Sequence, residues 1–202
     1  MHAGDAFVDV KAFSRARARP LAPDDRREAI LAAVLPLLRR EGRDVSSRQL
    51  AEAAGVAEGT LFRAFGDKET LITAAIAKIF DHLPLMASLR AIDHDLSLEA
   101  KLEQVVRRLN DHFRDVVGAF AVFGLTERPP VPDQLSMEHR LVDVLADLLE
   151  PDLIRLAVPI DVVAEYVRLV AFASSLPMAS GLSGEVLSSL IARGIVRREE
   201  EN

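Results

Sequence analysis

Hydrophobic residues recur at intervals of three and four along most of the chain, and this spacing predicts α-helices. The first stripe consists of Ile30, Val34, Leu37 and Leu38. It predicts a helix that starts at residue 24 or 25, reaches residue 40 and is ended by Gly42. Pro36 lies inside this helix and removes one of its hydrogen bonds, so we expect a kink there.

Residues 46–65 predict two short helices joined by a tight turn. Ser46 and Gln49 fit a capping box, in which a hydroxyl and an amide satisfy two backbone donors at a helix start. Gly55 supplies the left-handed conformation that commonly ends a helix. Leu61 and Phe65 repeat at helical spacing after the turn. We interpret the segment as a helix-turn-helix, whose second helix, residues 57–65, can enter a DNA major groove.

A fourth helix is expected to begin after Asp67, which can cap it, and to be ended by Pro84. This helix would join a head, residues 23–83, to a larger body, residues 84–202. The 22 residues before the head form an arm with arginines at alternate positions, which are Arg15, Arg17 and Arg19. The arm can be interpreted as a DNA minor-groove or phosphate contact, or as a solvated, mobile terminus.

The body is predicted to be helical throughout. One helix starts with Ser97 as its cap, and a change of helix is expected either near Gly118 or beyond Gly124. Further helices are expected over residues 133–150 and over residues 162–178, the second of which is apolar around most of its circumference. A final amphipathic helix covers Val186 to Ile195. No segment shows the period of a strand, so the predicted fold class is all-α.

The order of residues in the head resembles the amino-terminal domain of the tetracycline-repressor (TetR) family. The matching residues are Leu50-Ala51, Ala54-Gly55-Val56, Gly59-Thr60-Leu61-Phe62, Phe65 and Asp67-Lys68-Glu69. The match spans roughly residues 25 to 75, and so many fixed spacings make it a specific signal. The resemblance implies a three-helix DNA-binding head on a helical ligand-binding and dimerisation body. It also implies a dimeric repressor that binds a pseudo-palindromic operator and is released by a small apolar effector.

The outward face of the second helix of the helix-turn-helix is expected to contact DNA. Thr60 can reach a phosphate or a thymine methyl group, Arg63 can pair with guanine or a phosphate, and Gly59 lets the backbone come close. The complete set of predicted DNA contacts is Ser47, Arg48, Ala57, Glu58, Gly59, Thr60, Phe62, Arg63 and Lys68. Lys68 is included because an ammonium beside a helix amino terminus suits a phosphate.

Three residues depart from the family pattern and support an alternative. Glu58 would repel phosphate unless it accepts from a cytosine amino group, Phe62 lacks the hydroxyl of the usual tyrosine, and Ala64 is less polar than usual. The alternative is a helical small-molecule-binding dimer whose degenerate head no longer binds DNA usefully. Salt-dependent, sequence-selective DNA binding would distinguish the two.

Two groups of apolar residues in the body are candidates for a dimer interface and for an effector pocket. The last two long helices offer surplus apolar surface, and pairing them with a second chain would close a four-helix bundle. The predicted homodimer contacts are Val167, Val170, Leu187, Leu190 and Ile191. The resemblance implies an effector pocket, for which the candidates are Phe113, Phe120, Phe123, Met137, Tyr166, Phe172 and Met178. Each of these can equally be plain core.

Composition narrows the function further. The net charge is −6, but the acidity lies in residues 76–202, which sum to −7, whereas residues 1–75 sum to +1. The chain has no cysteine, no apolar leader and no evident membrane span, so a soluble cytoplasmic protein is expected. No ordered acid–base set, nucleophile elbow, phosphate loop or metal-ligand spacing appears. We therefore expect neither enzymatic activity nor a cofactor or metal.

Overall fold

The computed structural model describes residues 22–129, 137–176 and 184–196. The first four helices form the head and follow the apolar pattern closely. They are α1 (Pro23–Glu41), α2 (Ser47–Ala54), α3 (Glu58–Phe65) and α4 (Lys68–Phe80), with a short 3-10 turn, Gly42–Asp44, after α1. Pro36 lies inside α1, and Gly42 follows its last residue as predicted. The predicted arm lies outside the described residues, except for Ala22.

The fourth helix ends earlier than the sequence suggested. α4 stops at Phe80, and a separate helix, α5 (Leu83–Arg90), begins after two intervening residues. Pro84 stands in the first turn of α5, where a backbone N–H would have no acceptor within the helix, so proline breaks no helical hydrogen bond there. The prediction that Pro84 ends the fourth helix is therefore wrong, because proline is compatible with a helix start as well as a helix end.

The body continues with α6 (Leu98–Phe123), α7 (Met137–Leu148), α8 (Ile160–Ser175) and α9 (Gly184–Ile195). Ser97 caps α6 by accepting from the N–H of Ala100 at 3.2 Å. α6 runs through Gly118 without a break and ends at Gly124, the second of the two predicted places. A 3-10 segment, Glu150–Arg155, follows α7, so the helix predicted over 133–150 is shorter where it is described.

Buried side chains form two apolar clusters, and α6 contributes to both. The body cluster takes Leu98 to Phe113 from α6, together with buried residues of α5, α7, α8 and α9. The head cluster unites α1 to α4 with Ala119 and Phe123 from the last turns of α6. One continuous helix thus connects the packing of the body to the packing of the head.

The stretch Lys68–Arg90 is long and apolar enough to cross a bilayer by length and composition alone. Half of it is buried inside the protein, and it comprises two helices that break at residues 81–82. Its inward residues, such as Leu71, Ile72 and Ile76, pack in the head cluster. A helix in the core of a protein can have the same length and composition, and packing in the head cluster accounts for the apolar residues of this stretch.

Candidate nucleic-acid interface

The second helix of the helix-turn-helix, α3, is fixed by two inward side chains. Leu61 and Phe65 are buried in the head cluster, four residues apart on one face. Thr60 is half-buried, whereas the remaining predicted contacts on this element are exposed: Ala57, Glu58, Gly59, Phe62 and Arg63. α3 is therefore anchored along one side and open to solvent along the other.

Gly59 lies on the open side of α3, and its lack of a side chain is not explained by packing. Apart from its chain neighbours and the backbone of its own helix, no atom of the described residues lies within 4 Å of the place where a Cβ would stand. Its φ is not positive either, so the backbone does not require glycine. What glycine provides here is a low outer surface, which lets another molecule approach the backbone.

The start of α2 carries the predicted capping box. The Ser46 hydroxyl accepts from the N–H of Gln49 at 3.2 Å, and the Gln49 side chain accepts from the N–H of Ser46 at 2.9 Å. Gly55 takes the left-handed conformation, with φ 64° and ψ 29°, and ends the helix. These local features set the angle at which α3 leaves α2, and both were predicted from the sequence.

Two further predicted DNA contacts, Ser47 and Arg48, lie in α2 and differ in exposure. Ser47 is half-buried in the first turn of α2, and Arg48 is exposed and pairs with Glu52 at 3.1 Å. Such an exposed i,i+4 pair is weak, so the guanidinium can exchange Glu52 for a phosphate at small cost.

Lys68 has a role that the sequence did not reveal. Its ammonium donates to the backbone carbonyls of Arg43 and Val45, at 3.1 and 3.2 Å, and the side chain is half-buried. These contacts tie the start of α4 to the loop before α2. Lys68 therefore holds the head together internally, and its contact with a DNA phosphate stays a prediction.

Asp67 caps α4 as predicted. Its carboxylate accepts from the N–H of Thr70 at 2.7 Å. That backbone hydrogen bond, together with the one to the Thr70 side chain, holds the pKa of Asp67 below its ordinary value. The carboxylate stays ionised at neutral pH and fixes the turn that follows α3.

Three of the contacts between the head and the last part of α6 form what we call the joint. Gly42, with φ 62° and ψ −134°, lies so close to α6 that an added Cβ would stand 2.5 Å from the carbonyl oxygen of Val122. Arg39 pairs with Asp115 at 2.6 Å. Phe80 packs edge-on against Phe120, with ring centroids 5.5 Å apart. The joint uses α1, α4 and α6, so a shift of α6 must be transmitted to the head.

His112 stands on α6 beside the joint, and burial lowers its pKa below the ordinary 6.5. Among the charged groups around it, His82 and Arg128 also lower this pKa, whereas Asp115 and Asp81 raise it. Desolvation is the largest of these effects because a charged imidazole loses hydration inside the protein. The folded state therefore favours neutral His112.

We expect the free energy of unfolding to fall as the pH drops below about 6.5, because the unfolded chain then binds a proton that folded His112 resists. Above that pH the imidazole is neutral in both states and its contribution is fully present. Urea unfolding at about pH 7.5 and about pH 5.5 should show a smaller pH dependence for His112→Gln than for the parent. The exposed His94→Gln is the control, and a slope unchanged by His112→Gln would contradict the expectation.

The predicted pocket residues do not surround one cavity. Phe113 and Met137 are buried in the body cluster, whereas Phe123 is buried in the head cluster. Phe120 belongs to the joint. Tyr166 and Phe172 are each 40% exposed on α8, with Phe172 packed edge-on against Phe113 at 5.4 Å. Four of the six described candidates thus lie at the joint, in the head or on the surface; Met178 lies outside the described residues.

Some of the predicted dimer contacts are buried in the chain's own core, and others lie at its surface. Val167, Leu187 and Ile191 are buried in their own chain's core and offer a partner little surface, and their place in a dimer interface stays a prediction. Val170 is half-buried and Leu190 is 52% exposed. The exposed apolar side chains of the last two helices follow helical spacing and are Val162, Tyr166, Leu169 and Phe172 on α8 and Val186 and Leu190 on α9.

Comparison with solved structures finds the same fold in bacterial transcriptional regulators. A TetR regulator from Streptomyces coelicolor is 23% identical and covers 84% of this chain and 98% of its own, with a TM-score of 0.53. A TetR-family regulator from Pectobacterium atrosepticum is 21% identical over 87% and 96%, with a TM-score of 0.54. A transcriptional regulator from Rhodococcus sp. Rha1 is 19% identical over 84% and 97%, with a TM-score of 0.56.

These identities show a shared fold. The comparison with curated proteins found no match. Residues 30–75, from the middle of α1 into α4, match the family of bacterial regulatory proteins described as the tetR family. The matched stretch contains the capped α2, the Gly55 turn and the outward-facing α3. Over its helix-turn-helix head, the chain is thus similar to the tetR family of bacterial regulatory proteins.

Proposed function

We propose that the protein is a ligand-responsive repressor that binds a pseudo-palindromic operator as a homodimer. The observation that carries the proposal is α3, which is held from inside by Leu61 and Phe65 and presents Gly59 and Arg63 outward. A helix of this kind fits a major groove, and an arginine on its outer face can donate two hydrogen bonds to guanine. A dimer places two such helices about one helical turn of DNA apart.

The exposed apolar stripe on α8 and α9 supports the dimer. Val162, Tyr166 and Leu169 lie along one face of α8, and Val186 and Leu190 lie along one face of α9. A contiguous apolar surface of this kind is unusual on a monomer. Two helices from each of two chains can cover it by forming a four-helix bundle around a twofold axis.

We expect Leu190→Asp to split the dimer, because the new carboxylate would be buried against apolar side chains of the partner. Leu190 is 52% exposed in the single chain, so the change should leave its fold intact. Light scattering and sedimentation should report a mass near half that of the parent. The control is Ile154→Asp, since Ile154 is 79% exposed and lies outside α8 and α9. A dimer that persists would place Leu190 outside the interface.

The continuity of α6 supports control of the head by an effector. An effector that binds the body more tightly in one arrangement of α6 would favour that arrangement, and the joint would then move α1 and α4. The free energy by which the effector shifts the equilibrium between the two states is limited by the difference between its binding free energies for them. In the proposed repressor, the favoured state spaces the two heads wrongly for the operator, and DNA is released.

Operator selection from random DNA with the purified dimer tests the proposal. The repressor should enrich one pseudo-palindromic sequence, and its affinity for that sequence should fall steeply with salt. The degenerate-head alternative keeps one observation in its favour: exposed Glu58 adds negative charge to a face that otherwise offers Arg63 alone. Failure to enrich any sequence in the ligand-free state would favour the alternative.

A further inference from the structure

Between Ala22 and Phe80, Phe62 is the one large apolar side chain that the head leaves exposed. It is 36% exposed on α3, whereas every other leucine, isoleucine, valine and phenylalanine of this stretch is buried or half-buried. Leu61 and Phe65 turn inward and leave Phe62 at the edge of the outer face. That face therefore offers an aromatic ring in addition to the guanidinium of Arg63.

The open place at Gly59 lies next to this ring. Phe62 and Arg63 follow Gly59 by three and four residues, so both are its neighbours on the helix surface. Side chains of a helix lean toward its amino terminus, and these two therefore lean over the turn that contains Gly59. Neither side chain comes within 4 Å of the place where a Cβ of Gly59 would stand. The result is a notch with an aromatic ring on one side and an arginine on the other.

We propose that this notch receives the C5-methyl group of a thymine in the operator, with the methyl group packed against the ring of Phe62. The inference rests on the proposed function, since it assigns one base of the DNA that α3 would bind. Among the four bases, thymine alone presents a methyl group in the major groove, and phenylalanine is one of the side chains that contact it. Gly59 and Phe62 belong to the first five residues of α3, and the amino-terminal residues of a recognition helix are those that meet base edges.

Charge favours a base edge over the DNA backbone as the partner of the ring. A phenyl ring has no hydrogen to donate to a phosphate. Glu58 lies four residues before Phe62 on the same side of α3 and is exposed, so its carboxylate would repel a phosphate brought to the ring. The C5-methyl group carries no charge, and its burial against the ring is favourable by the hydrophobic effect. The ring therefore contributes sequence preference in place of a backbone contact.

The test uses the full chain and the operator selected from random DNA. Each thymine of one half-site, together with its symmetry mate, is replaced by uracil, which pairs in the same way and lacks only the methyl group. At the position read by Phe62, the parent should bind the uracil operator about 15-fold more weakly, from about fourfold for each methyl group lost. Phe62→Ala should bind the thymine and uracil operators equally. Phe62→Leu should keep most of the parent's preference, because it retains an apolar side chain.

Arg63→Ala is the matched control, because Arg63 flanks the same notch on its polar side. It should weaken binding to both operators by the same factor and keep the preference for thymine. The assignment holds if Phe62→Ala loses the preference and Arg63→Ala keeps it. It is overturned if Phe62→Ala weakens both operators equally, as a mere disturbance of the head would. Circular dichroism verifies that each variant is folded.

The outcome also separates this assignment from the proposed function. A parent that enriches an operator but binds its thymine and uracil forms equally at every position would overturn the assignment and leave the proposed function standing. A selected half-site that contains no thymine would do the same. Failure to enrich any operator would end both.

Discussion

Gly42→Ala is expected to lower the free energy of unfolding by about 3 kcal/mol, a large loss for one methyl group. The backbone at Gly42 has φ 62° and ψ −134°, which a residue with a side chain adopts only under strain. The new Cβ would also stand 2.5 Å from the carbonyl oxygen of Val122 and 3.0 Å from its Cγ1. Because a carbonyl in α6 cannot rotate away, α1 and α6 must separate. Denaturant unfolding followed by circular dichroism measures the loss.

Gly66→Ala separates backbone strain from the clash. Gly66 also has a positive φ, 86°, but no atom lies within 4 Å of its added Cβ. We expect it to cost only the strain, on the order of 1 kcal/mol. Equal losses for the two variants would mean that the protein accommodates the added methyl group beside Val122 at no cost beyond backbone strain.

The head could be predicted from the sequence because its signals are local. The capping box joins Ser46 to Gln49, the helix end needs only Gly55, and the Asp67 cap reaches only Thr70. Each of these contacts spans a few residues, so residue type and spacing determine it. The same reasoning failed at Pro84, because a proline after a long apolar run is compatible with either the end of one helix or the start of the next.

Contacts between distant residues could not be predicted in this way. Lys68 reads as an exposed cation, yet its ammonium meets carbonyls 23 and 25 residues earlier. Lys101 is an ordinary charged residue of an amphipathic pattern, yet it is 1% exposed and pairs with Asp152 at 2.9 Å. Whether a lysine is buried depends on whether a distant helix or loop supplies an acceptor for its ammonium group, and the local sequence pattern does not contain that information.

The body shows the same limit for apolar residues. α8 is apolar around most of its circumference, so its sequence does not say which face enters the chain's own core. The structure buries Val167 and exposes Leu169, two residues apart on opposite sides of the helix. Aromatic residues proved equally ambiguous as pocket candidates, since Phe113 is core and Phe120 belongs to the joint. The effector pocket therefore stays a prediction.

Gly59→Leu is expected to weaken operator binding by at least about 100-fold, toward the level of non-specific DNA. The side chain would project from the outer, exposed face of α3. Since no atom lies within 4 Å of the added Cβ, the variant should fold normally. Leucine even favours a helix over glycine, by about 1 kcal/mol. Fluorescence anisotropy with the selected operator, at one fixed salt concentration, measures the affinity.

Gly59→Ala is the graded comparison, because it raises helix propensity by a similar amount while adding only one methyl group. If the gap at Gly59 receives the DNA, the affinity should decrease from glycine to alanine to leucine while the free energy of unfolding stays level or rises. A loss of binding that followed stability instead would point to a change within the head. Binding unaffected by either variant would mean that DNA does not approach the backbone at Gly59.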